Sequence, residues 1–277
     1  MIDWWQQLPA KISPILFTLG PIQVRYYGLM YVVSFLVIYF LALKRSNGQK
    51  HVTRMVMEDY FFWIIIGVVL GSRLGYVLFY DWEYFSHNLL QILIPFDFSE
   101  GIRFIGISGL SYHGGVLGFI GTTYFFCRSK NIPFLTFTDF IVPLIPLGYM
   151  FGRIGNFLNH ELYGRVTQVP WGMYFPTAAT HELRHASQLY EAFFEGFICF
   201  VLLSFLSTKV RSRGFLSAMY LISYGAVRFC IEFFRQPDAH LGFVWMSFSM
   251  GQLLCLAMIL AGALLWVCNL KESMEKS

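Results

Sequence analysis

Phe151 to Arg165 reads FGRIGNFLNHELYGR, and its residue types point to anion chemistry in an apolar setting. These fifteen residues hold two arginines, a glutamate, a histidine and two asparagines, and they begin directly off an apolar run. Charged and amide groups at hydrocarbon depth are costly unless they face a bundle interior or a wet cavity. A second group is Tyr224, Arg228, Glu232 and Arg235, at spacings of 4, 4 and 3, which on a helix share one face. Arg228 lies too deep to escape by snorkelling, so it either orders the bundle by pairing with Glu232 or faces a substrate. The third is SYHGGVLG, Ser111 to Gly118. His113 titrates near neutrality and can act as a base. The glycines after it permit close backbone approach, and a helix start there offers free N–H groups to an anion. Arginine outnumbers carboxylate in these segments. A guanidinium fork grips phosphate in a bidentate manner, so the composition favours a phosphate-bearing substrate.

The elements that must position these groups are membrane helices. Of 277 residues, 56% are hydrophobic and 13% charged, against about 25% charged in soluble domains. A span needs about 20 apolar residues, and seven candidates meet or approach that: 26–43, 59–80, 112–127, 136–152, 188–208, 214–234 and 248–268. The fourth holds Pro143 and Pro146 and is expected to be broken. The expected fold is therefore an all-α polytopic membrane protein with seven transmembrane helices, a single domain over 1–277. A small extracytoplasmic cap over 152–187 is inserted between the fourth and fifth spans. Basic residues gather in alternate loops: Lys44, Arg45, Lys50 and Arg54, then Arg128 and Lys130, then Lys209, Arg211 and Arg213, then Lys271 and Lys276. The positive-inside rule puts these in the cytoplasm, the N-terminus outside, and the FGRIGNFLNHELYGR cluster on the outer face. Gly67, Gly71 and Gly75 recur every four residues and predict a tight helix contact. Arg73 beside them pairs with a bundle carboxylate or a lipid phosphate. Glu191 and Glu195, four apart, predict that one finds an arginine or is protonated. Trp4, Trp5, Leu8, Ile12, Ile15 and Leu16 fit an amphipathic segment on the membrane surface rather than a cleavable signal peptide.

Other classes are excluded by what the pattern lacks. A net charge of +4 without a basic stripe gives no reason to expect nucleic acid. Cys127, Cys199, Cys230, Cys255 and Cys268 are scattered through apolar runs and read as buried small hydrophobes. No P-loop or Gly-x-Ser-x-Gly occurs, and no metal site is expected. Histidines 51, 87, 160, 181, 185 and 240 lie in loops or at span ends and receive no role. Tyr26 and Tyr27 sit where belt tyrosines are common. A lipid or anion transporter is the rival class, since arginines in broken spans suit one. No repeated halves are evident, and the polar residues gather toward one face.

At these residues the chain resembles the bacterial prolipoprotein diacylglyceryl transferases. GRIGNFLNHELYGR is similar to the family signature, with His160 where a small residue is usual and Tyr163 where tryptophan is common. SYHGGVLG resembles its His-Gly-Gly motif, and YGAVRFCIEFFRQPD (Tyr224 to Asp238) its sixth-helix motif. RYYGLMY, GSRLGYVLFY, HASQLYE and SMGQLL match as well. The resemblance implies seven spans, an outward cap, no metal and no cofactor, in the bacterial cytoplasmic (inner) membrane. It implies transfer of the diacylglyceryl group of phosphatidylglycerol to the lipobox cysteine thiol of a prolipoprotein, giving a thioether and glycerol phosphate. The partners are then phosphatidylglycerol, prolipoprotein signal peptides and membrane lipids. On this reading His113 is the base, with Tyr27 assisting, and Arg153 and Arg228 clamp the leaving phosphate. Asn156, Glu161 and Gly164 bind substrate or shape the site. Tyr224 shares the Arg228 face, Glu232 holds Arg228, and Arg235 stands at the exit. A cap of only about 35 residues and the extra titratable group at His160 are departures that bear on prolipoprotein choice.

Overall fold

Helix formation dominates because a chain buried in lipid must satisfy its backbone groups internally. The computed structural model describes residues 2–20, 22–92, 96–97, 103–104, 109, 111–209, 212–236, 243–245 and 248–275. Its longer helices are α1 (Tyr26–Ser46), α2 (Arg54–Tyr80), α3 (Tyr112–Ser129), α4 (Phe134–Leu158), α5 (Ser187–Lys209), α6 (Phe215–Ile231) and α7 (Met250–Glu275). Five of them, α1, α2, α4, α5 and α7, are long and apolar enough to cross a membrane, and α6 is a shorter apolar helix. The expectation of seven spans is thus met in part. At about 1.5 Å per residue the 17 residues of α6 rise roughly 26 Å, below the ~30 Å of a hydrocarbon core. In α3 the glycines, His113 and Arg128 dilute the apolar run. Nor is the fold wholly helical. Two-stranded antiparallel hairpins pair Ile15–Leu19 with Ile22–Arg25, Phe96–Asp97 with Arg103–Phe104, and Phe243–Trp245 with Phe248–Ser249. Arg211, Asp238, His240 and Lys276, named above, lie outside the described residues.

The chain forms two compact units, Met1–Ala42 with Thr138–Ser277, and Leu43–Phe137. In the second unit the glycine repeat of α2 meets α3 as expected. A Cβ on Gly71 would lie 2.6 Å from the Gly114 carbonyl, and one on Gly114 would lie 2.3 Å from the Gly71 carbonyl. The two backbones touch with no room for a methyl group. Arg73 donates to the carbonyls of Gln91 (2.7 Å), Ile92 (2.8 Å) and Gly109 (3.3 Å) and lies over Phe85. Tyr60, Phe126 and Phe137 pack edge-on around the Tyr60–Thr123 hydrogen bond.

In the first unit α4 breaks where its prolines predict. Val142–Leu144 form a 3-10 turn, and the helix resumes at Ile145. Ser34 donates to the Gly148 carbonyl at 3.0 Å, seating α1 on α4. Asp139 caps the start of α6 from a distance in sequence, accepting from the N–H of Gly214 at 2.5 Å and of Ser217 at 2.8 Å. Within α5, Glu191–Ile198 widen into a π-helix, a distortion found often at functional sites. Residues 159–186 after α4 carry isolated bridges, and their Met173, Phe175 and Ala186 form a small core with Phe157 of α4. Leu8 and Ile12 pack on that core. The amphipathic opening segment therefore turns part of its apolar side into protein, while Trp4 and Trp5 remain exposed. Trp5 Nε1 donates to the Trp171 carbonyl and Gln6 Nε2 to that of Pro170, both at 3.0 Å. Cys127, Cys199 and Cys255 are buried as expected, while Cys230 and Cys268 are exposed.

Candidate active site

The first unit brings most of the expected residues together. Arg153, in the last turns of α4, sets its Nε 2.8 Å from Glu191 Oε2. Arg228 on α6 lies 2.6 Å from Glu232 through Nη1, a contact poorly aligned for a hydrogen bond, and 4.0 Å from Glu195 through Nε. Arg235 reaches Glu191 at 3.2 Å and Glu232 at 3.6 Å. Glu191 and Glu195 are fully buried. Tyr149 donates to Glu191 at 3.1 Å and its ring lies beneath the Arg153 guanidinium, 4.7 Å away. Tyr224 meets Tyr149 edge-on at 5.7 Å. Ser249 Oγ donates to Glu232 at 2.9 Å.

This cluster corrects one expectation. Arginine is not in excess, because three carboxylates from α5 and the end of α6 face three guanidinium groups. Glu191 and Glu195 were legible as a pair but not as members of the site. Their signal was present: two carboxylates in an apolar helix require cations, and the only question is which. Arg235 is correspondingly part of the charge network, reaching both Glu191 and Glu232. In both Arg153 and Arg228 it is Nε and Nη1 that meet the neighbouring acceptors, and Nη2 of each donates no hydrogen bond to any described residue. Glu191 Oε1 and both Glu195 oxygens likewise lack a hydrogen-bond partner among the described residues.

Asn156 and Glu161 sit beside Arg153. Arg153 Nη1 donates to Asn156 Oδ1 at 3.3 Å, and Asn156 Nδ2 donates to Glu161 at 2.8 Å. Tyr27, at the start of α1, donates to Tyr31 at 3.1 Å and stands close enough to feel the charges of Glu161 and Arg153. Gly164 shapes rather than lines the site: its N–H donates to the His185 carbonyl at 2.8 Å, and a Cβ there would fall 2.3 Å from the Phe234 carbonyl. Arg165 Nε donates to the Arg235 carbonyl at 2.6 Å, fastening the end of α6. Arg184, buried beneath Tyr163, donates to Gln236 at 2.6 Å. Neither Arg165 nor Arg184 was singled out by spacing.

His113 belongs to the other unit. It occupies the first turn of α3, exposed, behind the Ser111 cap whose hydroxyl accepts from the Gly114 N–H at 3.3 Å. The following glycines serve the α2 contact. His181 and His185 are four apart, a spacing that would pair two imidazoles on a helix. Here the segment is not helical, and the rings separate: His181 stacks on Tyr174 at 4.5 Å, while His185 lies 3.2 Å from the Tyr190 hydroxyl. Burial lowers the pKa of His185. His160 is also held below the ordinary histidine value by burial, against the carbonyls of Pro9 and Ile12, which favour protonation.

A buried, charge-balanced arginine network thus stands within an apolar helical bundle. The family model for prolipoprotein diacylglyceryl transferase matches residues 14–268. The chain is 49% identical over 267 residues to the phosphatidylglycerol–prolipoprotein diacylglyceryl transferase of Chlorobaculum tepidum, covering 95% of this chain and 92% of that protein. It is 45% identical over 271 residues to the enzyme of that name from Idiomarina loihiensis, covering 98% and 97%. For that of Coxiella burnetii the figures are 46% over 267 residues, 94% and 97%. Matches of this extent, spanning every segment of the arginine network, make this chain a member of the prolipoprotein diacylglyceryl transferase family.

Proposed function

We propose that the chain transfers the diacylglyceryl group of phosphatidylglycerol to the lipobox cysteine of prolipoproteins, at a site built on Arg153 and Arg228. The carbon–oxygen bond to phosphate breaks, a carbon–sulfur bond forms, and glycerol phosphate leaves with the electron pair. The attacked centre is an alkyl carbon, so charge grows on the departing phosphate rather than on a carbonyl oxygen. The observation that carries this reading is the pair of arginines, each held at Nε and Nη1 by buried side chains and each with Nη2 uncommitted. Pre-aligned donors of this kind stabilise charge that develops in a transition state. Family membership sets the transporter reading aside.

A thiol with a pKa near 8.5 must lose its proton to attack. His113 is the proposed acceptor, with Tyr27 assisting, by match to the family's motifs. Glu232 holds Arg228, and Asn156, Glu161, Gly164, Tyr224 and Arg235 order the surroundings. The proposed topology has seven spans, α3 and α6 being short ones. The N-terminus and the cap over 152–187 lie outside and the C-terminus in the cytoplasm, supported by the lysine distribution. Purified protein, given phosphatidylglycerol and a lipobox peptide, is expected to add the mass of one diacylglyceryl unit to the cysteine. No mass gain from a folded, lipid-supplied sample would sink the assignment.

A further inference from the structure

Asn159 closes α4, and the chain then doubles back. His160 (φ 57°) and Leu162 (φ 58°) both adopt the left-handed conformation, which ordinary side chains avoid. Between them Glu161 is turned onto the helix it has just left, its N–H donating to the Asn156 carbonyl at 3.1 Å. Three side-chain amides then meet Glu161. Asn156 Nδ2 donates to Oε1 at 2.8 Å, Asn159 Nδ2 to Oε2 at 2.9 Å, and Gln188 Nε2 to the main-chain carbonyl at 2.6 Å. Gln188 is fully buried, one turn ahead of Glu191 on the same helix.

The consequence lies in what an amide can offer. Asn156 has a donor end and an acceptor end. A carboxylate accepts only, so Glu161 claims the donor end and leaves the oxygen facing Arg153 Nη1. Arg153 is therefore supported twice, by Glu191 at Nε and by the Asn156 oxygen at Nη1.

We infer that Asn159 and Gln188 are positioning residues for the reaction. They pin Glu161, which orients the Asn156 amide, which holds the Arg153 guanidinium with Nη2 left for the leaving phosphate. The inference rests on the clamp reading of Arg153.

The test uses hydrogen-bond complementarity. Asn159→Asp sets two carboxylates face to face. Glu161→Gln sets two amide donors face to face if its oxygen stays on Asn156. Combining Asn159→Asp with Glu161→Gln restores a donor–acceptor pair, the new amide donating to the new carboxylate. Each single variant is expected to lose about tenfold or more in kcat, with KM for phosphatidylglycerol and the detergent melting midpoint little moved, a size usual for coupled polar neighbours. The double variant should recover about tenfold over the weaker single, within the range of measured coupling energies. Gln188→Met, of similar volume, should lower kcat without an equal rise in KM. If Asn159→Asp fails to fold, Asn159→Leu takes its place, and the same fall in kcat is expected. Native-like kcat in the single variants, or a double variant no better than the weaker single, overturns the relay while leaving the clamp reading intact. Inactivity of the native protein toward phosphatidylglycerol and a lipobox peptide overturns the clamp reading itself.

Discussion

A lysine in place of Arg153 keeps the charge and loses the fork, so it separates electrostatics from geometry. Arg153→Lys and Arg228→Lys should each reduce turnover roughly 10- to 100-fold, the worth of a charge-assisted hydrogen bond at about 1.5–3 kcal/mol. Near-native rates of diacylglyceryl transfer in both would refute the clamp. Glu191→Gln removes the negative charge shared by Arg153, Arg235 and Tyr149, and should lower the measured rate of diacylglyceryl transfer although Glu191 itself need not touch substrate. The arginines themselves were legible from their types and spacing alone. Glu232 was legible too, as the partner of Arg228 four residues on, whereas the counter-charge of Arg153 was not, because Glu191 lies 38 positions after it and only tertiary packing joins them. The same holds for Tyr149, which reads in sequence as one more aromatic in an apolar run.

Among the elements, the α2–α3 contact was the most legible, since a four-residue glycine period has few other uses in a lipid-facing helix. Its partner was not. The glycines of the His-Gly-Gly motif invited a ligand, yet Gly114 faces Gly71. Gly71→Ala should cost about 1–3 kcal/mol, the usual penalty for overpacking, read as a lower melting midpoint in detergent. A variant with native stability would refute the backbone contact. The broken α4 was legible from Pro143 and Pro146, whereas the π-helix in α5 left no mark in sequence. His160 adds a pH dependence to the opening segment. Burial lowers its folded pKa, so docking of the segment is at full strength above the unfolded value of about 6.5 and weakens as pH falls through the folded one. The protection factor at the Tyr174 N–H, which donates to the Gln6 carbonyl, should fall with acidification in the native protein and not in His160→Asn. An unchanged protection factor in both would rule out the coupling.

For the molecule as a whole, composition made the membrane class legible, but length and apolarity alone support fewer spans than the seven expected. A reporter phosphatase that works only outside the cytoplasm should be inactive when fused after Ser277 and active when inserted near Thr180. The reverse pattern would overturn the proposed orientation. What no local pattern could reveal is that Trp5 and Gln6 are tied to Trp171 and Pro170. Those partners are separated by 166 and 164 residues, which at about 5–20 residues per second of synthesis is a wait of roughly ten to thirty seconds. During that interval the partners of Trp5 and Gln6 have not yet been made, and exposed tryptophans of this kind suit a membrane–water interface. The tie between the opening segment and residues 170–171 is thus made late in synthesis, and an insertion near Gln6 is expected to slow maturation of the enzyme before it lowers its stability.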